Sequence, residues 1–266
     1  IPFFRKIVFY HTIHNTFGPH EKLFKKLNHF PFYSRVVNIC LSKSIFEQFS
    51  EAFPKLKFRQ IENGIKAKDS LIVSDFVKKE IDAIRIDSKT KIFLFVGRFS
   101  YQKNIPLLLD VYRDAGISES KLIIIGNGPL EINNDIKNAT SNSSGRIVFL
   151  GPKENVFDYM INSDALILTS RHEGLPIVVL EALSVGLPVL STPVGGVPDV
   201  INNGTNGFLA KSIQKKDIIE MVEKFCSLDP QSVNEIHENN IRLFEENFSI
   251  EVCAKKHYDL YKNESR

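Results

Sequence analysis

The chain has 266 residues, of which 43% are hydrophobic, so its composition supports a packed core and excludes wholesale disorder. Its 34 Lys and Arg residues against 31 Asp and Glu leave a net charge of +3, too small a surplus to indicate nucleic acid as a partner. The three cysteines are far apart and include no C-x-x-C pair, which indicates reduced thiols in a cytoplasmic protein.

Short apolar runs alternate with stretches of helical length along the whole chain. Continuous runs rich in Val, Ile, Leu and Phe are typical of strands buried on both faces. Their alternation with helices predicts an α/β fold with a doubly wound, Rossmann-like parallel sheet. The predicted strands are residues 6–10, 36–41, 92–97, 121–126, 146–151, 165–170, 188–192 and 207–210.

A break in this alternation predicts the domain organisation. Asn63-Gly64 is a turn signal, and the charged stretch after it lacks a strand pattern. We therefore predict a partial N-terminal domain (1–64), a linker (65–90), a C-terminal domain (91–247) and a C-terminal helix (248–266). The first domain holds only about two predicted strands, too few for an independent sheet. Because the chain also starts without Met, we expect its N-terminal part to be missing.

Residues that follow the strands are the candidates for ligand binding, because ligands of open parallel sheets lie beyond the carboxyl ends of the strands. Arg98 and Lys103 follow one strand and could hold a diphosphate, or could be solvated surface charges. Gly126-Asn127-Gly128 follows the next strand. This small-residue turn lets backbone N–H groups approach a ligand, or is only a tight turn.

The segment 169–183 carries the strongest signal. Pro176 suits the first position of a helix, so a helix should begin just after Glu173-Gly174, with its free N–H groups favouring an anion. Glu181 lies in an otherwise apolar stretch, where a carboxylate needs a hydrogen-bonding partner. That partner is either a ligand hydroxyl or a group on a neighbouring helix. Gly195-Gly196 precedes a further helix start and adds backbone donors.

Other kinds of site have no pattern in this sequence. The seven histidines show no paired metal-ligand spacing, so we expect no metal site. His11 and His14 are three residues apart in an extended or loop-like segment, with no third ligand nearby. No G-x-S-x-G nucleophile elbow occurs.

Four motifs occur together in one order and spacing: Gly97-Arg98 with Lys103, Gly126-x-Gly128-Pro129, Glu173-Gly174-Leu175-Pro176 with Glu181, and Gly195-Gly196. With them the chain resembles the retaining nucleotide-sugar glycosyltransferases of the GT-B fold, family 4, also called glycosyl transferases group 1. The likeness covers most of the chain. It implies a C-terminal donor domain and part of an N-terminal acceptor domain.

The resemblance implies a role for each matching residue. Arg98 and Lys103 would contact the donor diphosphate, Glu173 would face the transferred sugar, and Glu181 would hold the ribose. Val156 would meet the nucleobase. The full set of donor-binding residues that it implies is Gly97, Arg98, Lys103, Gly126, Asn127, Gly128, Val156, Glu173, Gly174, Leu175, Pro176, Ile177 and Glu181.

On the acceptor side, Thr12-Ile13-His14-Asn15 resembles a loop whose histidine approaches the sugar, with His11 as the competing choice. The expected catalytic residues are thus Glu173, His14, Arg98 and Lys103. The sequence also departs from the family pattern. Asn127 stands where an acidic residue is common, Asn104 where glycine is common and Asp199 where glutamate is common.

The reaction that the resemblance implies is transfer of a hexose from a nucleotide-sugar, with retention of configuration and without a metal ion. UDP-sugars are the first expectation and GDP-mannose the second, and no other cofactor is expected. The acceptor would be a glycan or lipid-linked sugar in surface polysaccharide synthesis. The alternatives are a nucleotide-sugar epimerase of the same fold and a truncated module that binds nucleotide-sugar without transfer.

Residues 20–35 carry basic and apolar side chains in a pattern that allows two interpretations. A basic amphipathic helix can lie on anionic lipid, which would place the protein peripherally on the inner face of a membrane. The same pattern fits a helix that faces the core with its charged side in water.

Overall fold

The computed structural model describes residues 8–14, 36–68, 73–114 and 120–264. Within these ranges the chain forms two parallel sheets with helices between their strands, so the predicted α/β fold class is confirmed. Residues 20–35, for which membrane contact is predicted, lie outside the described residues. No helix in the described ranges is long and apolar enough to cross a membrane.

The smaller sheet comprises β1 (Phe9–Ile13), β2 (Val36–Cys40) and β3 (Lys57–Gln60), in the order β1-β2-β3. Helix α1 (Lys43–Ala52) joins β2 to β3. The expectation of about two strands here was wrong. Strand β3 has one buried residue, Phe58, among polar neighbours, so it shows no apolar run.

The larger sheet has six parallel strands in the order β6-β5-β4-β7-β8-β9. From β4 the chain proceeds outward first on one side, through β5 and β6, and then on the other. The order therefore reverses between β4 and β7, which is where ligands bind in open sheets of this type. The six strands are β4 (Lys91–Val96), β5 (Ser120–Ile125), β6 (Ile147–Gly151), β7 (Ala165–Leu168), β8 (Val189–Ser191) and β9 (Gly207–Leu209).

Helices follow the strands of this sheet, and all but the last contribute residues to its core. Their bounds are α2 (Asp75–Ile84), α3 (Ile105–Asp114), α4 (Leu130–Asn142), α5 (Val156–Ile161), α6 (Ile177–Ser184), a 3₁₀ turn (Val197–Asp199), α7 (Lys215–Cys226), α8 (Pro230–Asn247) and α9 (Ile250–Glu264). Helix α2 lies inside the stretch predicted as a linker. Its residues Val77 and Ile81, four apart and therefore on one face, are buried in the core of the larger sheet.

The chain returns to the smaller sheet at its end. Ile65 accepts a hydrogen bond from the Ile250 N–H at 2.9 Å, and its own N–H donates to Phe248 at 3.0 Å. Helix α9 then packs on the smaller sheet, where Lys256 lies 2.7 Å from Glu62. The chain thus crosses between the two sheets next to Ile65 and again next to Phe248.

Candidate functional site

Glu173 lies at the centre of the crevice between β4 and β7. It follows β7 in the chain and is 5% exposed. The loop after β4 supplies its partners: Lys103 Nζ lies 2.8 Å from Oε1, and Gln102 Nε2 donates to Oε2 at 2.9 Å. Two strands that are adjacent in space but far apart in sequence thus contribute a buried carboxylate and its cation.

The glycines after β5 allow two loops to approach each other closely. A Cβ on Gly126 would lie 1.9 Å from the Gly97 carbonyl oxygen, and a Cβ on Gly128 would lie 2.4 Å from Phe99. Such distances leave no room for any side chain, so the loop after β5 requires glycine where it meets the loop after β4. The Lys103 side chain passes over Gly97, because a Cβ added to this glycine would lie 3.6 Å from Lys103 Cε.

The Gly195-Gly196 turn after β8 contacts the peptide that carries Glu173. Gly195 has φ +59°, and a Cβ on it would lie 1.9 Å from the Glu173 carbonyl oxygen. The Gly196 N–H donates to the Gly174 carbonyl at 2.6 Å. The predicted motifs after β4, β5, β7 and β8 therefore meet at one edge of the sheet.

Helix α6 begins one residue later than predicted. Pro176 precedes it as the capping residue and offers no side-chain hydrogen bond, so the first N–H groups of the helix lack a side-chain cap. Those groups carry partial positive charge that favours an anion. Leu175 is buried beside them, whereas Ile177 is 43% exposed.

Glu181 is half-buried on α6, with apolar neighbours at Leu180 and Ala182. Burial raises the pKa of its carboxyl above the ordinary value. Among the described residues, no side-chain hydrogen bond to this carboxylate is found. The site therefore contains two acidic side chains in different settings, since Glu173 is paired with a cation.

The remaining predicted residues are more widely spread. Arg98 is exposed, and its guanidinium makes no hydrogen bond or ion pair to the described part of the chain. Asn127 is exposed, and its carbonyl accepts from the Phe99 N–H at 2.7 Å. Val156 opens α5 and is half-buried.

The two histidines belong to the other sheet. His14 directly follows β1 and is exposed. His11 was expected in an extended or loop-like segment and lies within β1, with Nδ1 3.2 Å from Asn38 Oδ1. Asn38 is fully buried, so His11 has a structural partner in the core of the smaller sheet.

Two residues that support the site were not predicted. Gln102 fixes the second oxygen of Glu173, and Arg171 donates to Asn104 Oδ1 at 2.8 Å. Asn104 itself has φ +54°. Asparagine tolerates this left-handed conformation better than most residues, which explains how it can stand where the family commonly has glycine. An Asn at a glycine position was the one available signal.

In the described ranges, no group of three His, Cys, Asp or Glu side chains is placed to hold a metal ion. The cation beside Glu173 is Lys103, and α6, whose amino end carries partial positive charge, begins four residues after Glu173.

Comparison with known proteins identifies relatives of the chain. It is 29% identical over 220 residues to an uncharacterised glycosyltransferase of Methanocaldococcus jannaschii, covering 81% of this chain and 56% of that protein. It is 30% identical over 179 residues to the UDP-Gal:alpha-D-GlcNAc-diphosphoundecaprenol alpha-1,3-galactosyltransferase of Escherichia coli, covering 64% and 45%. The chain thus spans about half the length of these curated relatives.

Solved structures share its fold at low identity. The Anabaena protein HepE, in complex with UDP, superposes with a TM-score of 0.82 at 19% identity, covering 98% of this chain and 74% of that one. A glycosyltransferase from Rickettsia africae gives 0.81 at 19%, covering 96% and 70%. The fold is therefore GT-B.

The family model described as "Glycosyl transferases group 1" matches residues 76–242, more than half of the chain. The chain accordingly belongs to the glycosyl transferases group 1.

Proposed function

We propose that the chain transfers a hexose from a UDP-sugar to a glycan or lipid-linked acceptor, with retention of configuration at the anomeric carbon. One observation carries this proposal. Buried Glu173 lies at the reversal point of the sheet, 2.8 Å from the ammonium group of Lys103 and four residues before α6, whose amino end has no side-chain cap. This is a site for a neutral, hydroxyl-rich group attached to a diphosphate.

The diphosphate would interact with the positive groups. An ammonium has three N–H donors, and Lys103 directs one to Glu173, so others remain for phosphate oxygens. The exposed guanidinium of Arg98 and the first N–H groups of α6 would add further donors. Negative charge that develops on the departing diphosphate would be stabilised by these groups in place, without a metal ion.

The sugar and the nucleoside would occupy the two acidic positions. Glu173 would accept hydrogen bonds from hydroxyls of the transferred sugar, held in position by Gln102 and Lys103. Glu181, half-buried and with a raised pKa, would accept from the ribose hydroxyls. The backbone around Val156 would meet the nucleobase. From the other sheet, His14 would approach the sugar.

Relatives and structural neighbours support the choice of substrates. HepE was solved with UDP-glucose, and the Escherichia coli relative is named as a UDP-galactose-dependent transferase acting on a diphosphoundecaprenol acceptor. Another relative, also from Escherichia coli, is named lipopolysaccharide 1,6-galactosyltransferase. We therefore propose a role in surface polysaccharide synthesis, in the cytoplasm at the inner face of a membrane.

The test is calorimetric binding of UDP and UDP-glucose. Arg98→Ala and Lys103→Ala should each weaken UDP binding by roughly 1.5–3 kcal/mol, the range for charge-assisted contacts. Glu181→Gln should weaken UDP and UDP-glucose alike, whereas Glu173→Gln should spare UDP and impair the sugar-dependent step. Lys211→Ala, which changes a solvent-exposed lysine, is the control. Unchanged UDP affinity in both cation variants would refute the diphosphate assignment.

A further inference from the structure

Besides the chain crossings near Ile65 and Phe248, the two sheets are joined by a contact near the Gly195-Gly196 turn. The Ser44 N–H, at the start of α1, donates to Asp199 Oδ2 at 3.0 Å. Asp199 ends the 3₁₀ turn that follows Gly195-Gly196. A carboxylate at the amino end of a helix interacts favourably with both the free N–H group and the helix dipole. This contact joins the smaller sheet to the larger one.

The backbones also approach closely at this point. A Cβ on Gly196 would lie 2.5 Å from Ser42 Cβ, so only glycine fits against the start of α1. Ser42 follows the carboxyl end of β2 and is 1% exposed. The Gly196 turn is therefore a docking surface for α1, in addition to its contact with Gly174.

The two crossings of the chain between the sheets lie across a cavity from this contact, and we expect them to act as a hinge. They lie at the paired backbones of Ile65 and Phe248. Between the hinge and the Ser44–Asp199 contact is a cavity of about 320 Å³, lined on one side by Ser42 and Glu62 and on the other by Leu175 and Phe248 among others. Because side chains do not fill this space, we expect the two sheets to change their angle about these crossings when other contacts between them are lost.

We infer that Asp199 is a positioning residue: its contact with Ser44 sets the angle between the sheets and transmits it to Glu173. The transmission has two steps. Asp199 holds α1, and Gly196, three residues earlier, donates to the carbonyl of Gly174, the residue directly after Glu173. The angle decides how groups at the carboxyl edge of the smaller sheet, including His14, face Glu173. The inference rests on the proposed function only for its effect on turnover.

The test uses Asp199→Ala in the 266-residue chain, with Asp229→Ala as a matched control. Asp229 also accepts from a backbone N–H at a helix start, at 2.9 Å from Ser232, but both groups belong to the helical region beyond the larger sheet. Loss of a cap of this kind shifts an equilibrium by about fivefold. We expect hydrogen exchange at the Ser44 amide to rise by about that factor in Asp199→Ala and to stay unchanged in Asp229→Ala.

Scattering and kinetics complete the test. Asp199→Ala should enlarge the radius of gyration in small-angle X-ray scattering and lower kcat for UDP release from UDP-glucose, with KM and UDP affinity retained. Unchanged exchange and scattering would overturn the contact, and unchanged kcat would overturn the positioning role. If the unsubstituted chain binds neither UDP nor UDP-glucose, the proposed function fails, while exchange and scattering still decide on the contact.

Discussion

Replacement of Lys103 by Met should destabilise the protein strongly, because it leaves the Glu173 carboxylate buried without its cation. The side chains of this pair are 16% and 6% exposed and lie 2.8 Å apart. Removing one partner of a buried ion pair costs about 3–5 kcal/mol in the free energy of unfolding. The hydrogen bond from Gln102 remains, so we expect the lower part of this range.

The exposed pair Lys211–Glu220 provides the control. Its charged atoms are also 2.8 Å apart, but the side chains are 72% and 60% exposed. Lys211→Met should therefore change the free energy of unfolding by no more than about 0.5–1 kcal/mol. Both variants would be compared by urea unfolding followed by circular dichroism.

The double variant Lys103→Met, Glu173→Gln distinguishes two causes of instability: loss of the attraction between Lys103 and Glu173, and burial of the Glu173 charge without a partner. Because the buried charge is then absent, the double variant should be more stable than Lys103→Met by itself. Two results would refute this reasoning. One is a loss in Lys103→Met no larger than that in Lys211→Met, and the other is a double variant less stable than Lys103→Met. Either would mean that Glu173 is not an uncompensated buried charge when Lys103 is removed.

Three further predictions concern the backbone and the second glutamate. Gly195→Ala should lower the thermal stability more than Gly204→Ala. Both glycines have positive φ, which costs an L-residue about 1–2 kcal/mol, but only at Gly195 would the new Cβ meet a backbone atom, at 1.9 Å. Equal losses of stability in the two variants would contradict this. Asn104→Gly should be tolerated better than Asn104→Ala, because φ is +54° there; the reverse order in urea unfolding would refute it. The raised pKa of Glu181 contributes stability that is fully present below the ordinary pKa of a glutamate and is lost as pH rises through the raised value. Glu181→Gln should therefore gain in stability relative to the unsubstituted chain as the pH rises from 4 to 7, and a pH-independent difference would contradict the assignment.

The strands of the larger sheet were predictable because each is a continuous apolar run. Strand β5 is fully buried from Ser120 to Ile125, and its last four residues form an uninterrupted apolar run. Strand β3 escaped prediction because only Phe58 faces a core, and helix α2 escaped because its apolar residues are separated by charged ones. A single buried position carries too little periodicity to identify an element.

The sequence by itself determined the class of the fold, because apolar runs alternate with stretches of helical length. It also determined the motifs of the proposed donor site, because a glycine, a proline or a glutamate in an apolar helix each has a local physical reason. Only the tertiary structure decided that Lys103 is paired with Glu173, that Arg98 is not, and that Asp199 contacts Ser44. The Lys103–Glu173 contact joins residues 70 positions apart, and the Ser44–Asp199 contact joins residues 155 positions apart. Strand order and the closeness of two sheets bring such residues together, and neither leaves a pattern in the neighbouring sequence.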